Sequence, residues 1–276
     1  MVQNMVRTAG TLFFAAILIG CSLVAPTASK VPPATADLAP SGKLRAAINF
    51  GNPILATRDA ATGDPRGISV DLARELANRL GVPLELVTYT SAGKVVEDVK
   101  FNVWDVAFVA IDPERAIDMD YSAPYVIIEG GYLVPQGSPI KSNAEVDREG
   151  VRVVVGAGST YDLYLSREIK KAQIVRAPTS PLVTDTMIKQ SFDVAAGVKQ
   201  QLEADSKRIP GLRLLEGRFM VINQAMATPK GRAAGSRYLT EFVEEMKASG
   251  LIVQSLAKHR IDGAVIAPPT DVKTSK

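Results

Sequence analysis

VRVVVGAG, residues 151–158, is a β-branched run closed by two glycines, and a helical pattern opens behind it at Ser159. The same succession has occurred once already. LRAAINF (44–50) is followed by VDLARELANRL (70–80), in which Leu72, Ala73, Leu76, Ala77 and Leu80 fall at helical spacing. A strand-to-helix pattern that restarts at Val151 predicts a second lobe. Between the two starts lie PLELVTY (83–89), a helix around Val95, Val96 and Val99, the strand DVAFVAI (105–111) and the apolar run YVIIEGGYLV (125–134). After the restart come QIVRA (173–177), a helix near Thr184 to Lys189, FDVAAGV (192–198), the short run LRLLEG (212–217) and VINQAMATP (221–229). Two helices end the pattern, one finishing near Gly250 and one at LIVQSLAKH (251–259). Such alternation predicts an α/β protein built on parallel sheet.

Outward from this core, the N-terminus reads as an export segment. Arg7 precedes TLFFAAILIG (11–20), too short for a comfortable membrane span and right for a signal-peptide core. Leu18-Ile19-Gly20-Cys21 resembles the lipobox of bacterial lipoproteins, in which the Cys is lipidated and becomes the new N-terminus; cleavage after Ala34-Thr35-Ala36 is the competing reading. Residues 22–42, with Pro26, Pro32, Pro33 and Pro40 among Ala, Thr and Ser, read as a tether. The segments predicted are 1–21 signal, 22–42 tether, 43–132 with 225–264 as lobe I, 133–224 as lobe II, and 265–276 as a tail.

Composition removes several function classes. The net charge is only +3 and cations alternate with acids, so no basic surface for nucleic acid is marked. One Cys and one His cannot supply a disulfide framework, a zinc finger or a Cys/His nucleophile pair within the chain. His259, inside Lys258-His259-Arg260, reads as the cationic end of a helix rather than a catalytic base. No metal or other cofactor is predicted.

Three features remain that can carry chemistry. Gly156-Ala157-Gly158-Ser159-Thr160 joins a strand to a helix and presents backbone N–H groups to an anion; the competing reading is a turn with Ser159 as its cap. Arg115 follows DVAFVAI at the strand end where ligands sit in open α/β sheets, and a guanidinium there can grip a carboxylate; alone it would read as a solvated charge. Glu129 interrupts YVIIEGGYLV and is either a functional acid or a solvated edge residue.

Taken in order, Gly67-Ile68-Ser69-Val70-Asp71-Leu72, then Asp105 to Arg115 with Asp120-Tyr121-Ser122-Ala123-Pro124-Tyr125, then Gly158-Ser159-Thr160 resemble the amino-acid-type periplasmic solute-binding proteins of ABC importers, family 3. The resemblance implies two doubly wound α/β lobes joined by two crossover strands, near Tyr132 to Pro135 and Gln224 to Thr228, closing on ligand by a hinge. It implies no enzyme activity, a periplasmic monomer, and two partners: a small carboxylate-bearing solute and an ABC transporter permease. Arg115 and Thr160 fall where relatives hold the ligand carboxylate, and Ser159, Asn49, Asn52 and Ala110 join them as ligand-binding candidates. Departures are visible: Asn52 and Ala92 replace aromatic walls, Val109, Ala110 and Ile111 replace hydroxyls, and Val198 or Lys199 stands where an acid meets the ligand ammonium. Either Glu129 takes that ammonium or the ligand lacks one. Relatives include cyclohexadienyl dehydratase, so the alternatives are an enzyme acting on prephenate or arogenate, or a sensing module for a signalling partner.

Overall fold

The computed structural model describes residues 33–270 together with Met1. The export segment, Cys21 and residues 22–32 of the predicted tether lie outside the described residues. The chain opens with α1 (Pro33–Leu38), β1 (Leu44–Asn49), a small hairpin of β2 (Thr57–Arg58) and β3 (Pro65–Arg66), α2 (Ile68–Leu80), β4 (Leu84–Tyr89), α3 (Ala92–Glu97), β5 (Val106–Ala110) and the long β6 (Met119–Pro135). The second set is β7 (Arg152–Gly156), α4 (Thr160–Glu168), β8 (Gln173–Ala177), α5 (Val183–Lys189), β9 (Val194–Val198), α6 (Lys199–Arg208) and β10 (Leu212–Leu214). The chain then returns through β11 (Met220–Pro229), α7 (Ala233–Ala248), α8 (Leu251–Lys258) and β12 (Val265–Ile266).

The main sheet runs β4-β1-β5-β11-β6-β9-β7-β8. β1, β4 and β5 pair in parallel, as do β7, β8 and β9, and the antiparallel pair β6/β11 stands between the two groups. All residues of β5 and β9 are buried, as expected of strands covered on both faces. Their covers form two lobes. In the first, Leu72 and Leu76 of α2 and Leu239, Phe242 and Val243 of α7 pack on Leu44 and Ile48, while Trp104, Val95 and Tyr89 cover the other face. In the second, Tyr161 and Leu165 pack on Val153 and Val155, and Met187 and Leu202 pack on Val154 and Ala195 opposite.

Three details differ from the sequence expectation. Residues 33–38 of the predicted tether are helix α1, because Ala34 and Leu38, one helical turn apart, bury against α7; Leu38 is fully buried and Asp37 accepts the Gly235 N–H at 2.9 Å. The predicted tail begins as strand β12, pairing Val265 and Ile266 with Ile127 and Val126. The crossover lies earlier in β6 than Tyr132 to Pro135, since those residues already pair with β9 and β10; β5 releases β11 at Gln224 and β9 takes up β6 at Gly130. Register shifts flank Ala225, opposite Pro124, and there the Ser122 hydroxyl accepts the Met226 N–H at 3.0 Å in place of a ladder carbonyl.

Candidate functional site

Arg115 is aimed by the turn that ends β5. Asp112 accepts the Glu114 N–H at 2.9 Å and its carbonyl accepts the Ala116 N–H at 3.0 Å, which folds Arg115 back beneath the strand. Its guanidinium donates to the Ala110 carbonyl at 3.1 Å in its own lobe and to the Gly158 carbonyl at 2.9 Å in the other. The residue is 2 % exposed, and Nε has no partner. The two nearby acids, Asp112 and Glu114, both pair with Arg167 instead, so among the described residues Arg115 makes no ion pair. Burial pulls its pKa below the ordinary arginine value, yet a guanidinium stays charged.

Facing it is the loop from β7 to α4. Ser159 caps α4 by accepting the Asp162 N–H at 3.0 Å, and Thr160 and Tyr161, first in the helix, have no carbonyl one turn earlier to receive their own N–H groups. Asp162 is neutralised by Arg176 at 3.0 Å and by the Gly158 N–H at 2.9 Å. Gly158 adopts φ +67°, and a Cβ there would lie 2.7 Å from the Gly93 Cα of α3. The lobes therefore touch through bare backbone at this point.

Between these elements is a cavity of about 40 Å³ lined by Asn49, Asn52, Ala110, Arg115, Ser159 and Thr160, all read from the sequence as ligand-binding candidates. Ala92, Val109 and Val198, read as departures, also line it. Ser69, Phe108, Tyr161, Ser180, Ile222 and Gln224 also line it, with Gly51 and Leu55, and none of these was marked as a candidate by the sequence. Gly67 explains Ser69: at φ +124° its α-carbon sits where a Cβ would meet the Leu55 carbonyl at 2.4 Å, and this approach draws the start of α2 into the wall. Tyr161 has a buried hydroxyl with no partner. A larger hollow, about 550 Å³, lies beside Pro139, Ile140, Phe192 and Leu212 and contains none of the predicted residues.

Glu129 requires correction. It lies outside the cavity wall, with a third of its side chain exposed, and pairs with Arg218 and with Lys199 at 3.4 Å. The Arg218 bond above all holds its carboxyl below the usual range. Strand alternation is the reason: Ile128 faces the core and Glu129 faces away. His259 caps the end of α8, with Nε2 2.8 Å from Asp71, and takes no part in the cavity.

The family model for bacterial extracellular solute-binding proteins, family 3, matches residues 44–260. Cyclohexadienyl dehydratase of Pseudomonas aeruginosa is 24 % identical over 201 residues, covering 70 % of this chain and 74 % of that protein. The solute receptor for L-cysteine of Neisseria gonorrhoeae superposes with a TM-score of 0.72 at 23 % identity, covering 84 % of this chain and 94 % of that one. A mutant of ArgBP from T. maritima superposes with a TM-score of 0.71 at 22 % identity, covering 82 % and 99 % respectively.

Proposed function

The chain belongs to the bacterial extracellular solute-binding proteins, family 3, and from that premise we propose that it captures a small carboxylate-bearing solute by hinge closure and presents it to an ABC transporter permease. The observation that carries this reading is Arg115, a buried guanidinium with no counter-ion on the wall of a cavity between two lobes. An unpaired buried charge costs several kcal/mol, and an anion arriving beside it offsets that cost. Thr160 and Tyr161 add backbone donors from the opposite lobe, so one carboxylate would join both halves. Charge-assisted bonds of about 1.5 to 3 kcal/mol each supply much of the roughly 8 kcal/mol that micromolar affinity needs. The hinge is the β6/β11 pair. Attachment of a lipid at Cys21 belongs to the same proposal and is supported by the Leu18–Cys21 sequence alone.

The test is a thermal-shift screen of the purified protein against amino acids, organic acids and amines. Carboxylates should raise the melting temperature in a concentration-dependent way, and Arg115→Ala should abolish the rise. A rise that survives this substitution overturns the carboxylate site.

An enzyme on the same fold is the second reading, favoured by the likeness to cyclohexadienyl dehydratase. Weighing toward binding is the wall itself, where among the described residues no carboxylate, imidazole, thiol or amine is present to move a proton near neutral pH. Incubation with prephenate and arogenate, followed by product analysis, distinguishes the two.

A further inference from the structure

We propose that the solute carries its carboxylate without an ammonium group: a 2-oxo acid, a 2-hydroxy acid or a plain carboxylate, rather than an amino acid. The inference rests on the carboxylate site just described and follows from its charge balance. Arg115 is the single charged group on the cavity wall among the described residues. The neighbouring acids lie off the wall and are committed to other cations, Asp162 to Arg176, and Asp112 and the half-exposed Glu114 to Arg167, while Glu129, also off the wall, is held by Arg218 and Lys199. A monoanion balances one guanidinium. A zwitterion would bring a second cation into a space that already holds one.

The neutral acceptors point the same way, because an ammonium offers three donors and can bind only where acceptors are free. The Asn49 side-chain oxygen accepts the Gly51 N–H at 2.8 Å and that of Asn52 accepts the Ile54 N–H at 3.3 Å, which leaves their NH₂ groups, both donors, uncommitted. Ser159 Oγ is used by the Asp162 N–H, and the Ala110 carbonyl takes both Arg115 and the Tyr121 hydroxyl. The end of β9 contributes only the apolar Val198. Gln224 is left with an uncommitted amide oxygen beside the hydroxyls of Ser69, Thr160 and Ser180, but all of these are neutral, and neutral oxygens do not offset a full charge in a buried site. A hydroxyl or keto oxygen, in contrast, finds donors on several sides.

The experiment is calorimetric titration of the purified protein with matched sets: alanine, pyruvate and lactate; leucine with its 2-oxo and 2-hydroxy acids; phenylalanine with its own; glutamine with its own. In the set that binds, the oxo or hydroxy acid should bind at least tenfold more tightly than the amino acid. An amino acid that binds as tightly as its deaminated partner, or more tightly, overturns this proposal and leaves the carboxylate receptor standing. No heat from any member of any set overturns both. Val198→Asp supplies an acid at the wall and, being at the N-cap of α6 where Asp is favoured, preserves the fold. It should move the ratio at least tenfold toward the amino acid; an unchanged ratio also counts against the proposal.

Discussion

Arg115 is a buried charge with no ionic partner among the described residues. Its charge is fully buried, two carbonyl oxygens satisfy part of the guanidinium, and Nε is left without a partner. Replacing a buried charge by an apolar chain of similar length is often neutral or stabilising. Arg115→Met should therefore leave the melting temperature of the ligand-free protein unchanged or raise it by a few degrees, while carboxylate binding falls at least tenfold. Differential scanning calorimetry and titration on the same sample check both halves, and a destabilised variant that still binds would show that the residue serves packing. Arg115, Thr160 and Ser159 became candidates through the family resemblance, because a strand end and a glycine-rich turn taken alone read as well as a solvated charge and a helix cap. Ser69, Tyr161 and Gln224 were not, because they reach the cavity through tertiary approach, as where Gly67 lets α2 press against Leu55. Glu129 misled for the opposite reason: its apolar neighbours in sequence lie on the other face of β6.

Elements rather than residues hold the site's geometry. Asp71 on α2 receives the Ser255 hydroxyl at 2.8 Å, Lys258 at 3.2 Å and the His259 ring at 2.8 Å, which ties α2 to the end of α8. Burial pushes the Asp71 carboxyl up, but these three partners outweigh it and hold it below the ordinary 3.8. A carboxyl depressed on folding contributes stability above its unfolded value and loses it as pH falls through the folded one. Asp71→Asn should thus cost about 1 to 3 kcal/mol at pH 7, with the gap to the parent protein narrowing below about pH 4, as urea titrations at both pH values would report. At the loop before α4, Gly158→Ala places a Cβ against Gly93 and demands a left-handed residue. Ligand affinity should drop at least fivefold in calorimetry because the lobes cannot meet, with about 1 kcal/mol lost in stability from the backbone strain. The regular elements were readable where apolar spacing is strong, as in α2 and β5. They were missed where it is weak: α6 is polar except for Leu202 and Ala204, and α1 hides in an Ala- and Pro-rich stretch whose composition resembles a linker.

At the scale of the molecule, the lobes are held together by contacts they make with each other. Arg167 of α4 reaches Asp112 at 2.8 Å and Glu114 at 2.7 Å, Arg115 reaches the Gly158 carbonyl, and Gly93 meets Gly158. These links involve no solute, so each can form before one enters. The cavity they enclose is about 40 Å³, against roughly 300 Å³ or more for a typical small-molecule site, so the lobes must part to admit a solute. Opening is then a step in both association and dissociation. Weakening the latch by about 1 kcal/mol raises the open fraction about fivefold in each state. Arg167→Ala should accordingly speed association and dissociation by similar factors, three- to tenfold in stopped-flow fluorescence, while the equilibrium affinity stays within about twofold. Solution scattering should show a larger radius of gyration for the free variant than for the free parent. Faster dissociation alone, with weaker affinity and unchanged association, would mean that the free lobes already stand apart and that these ion pairs form only around the solute.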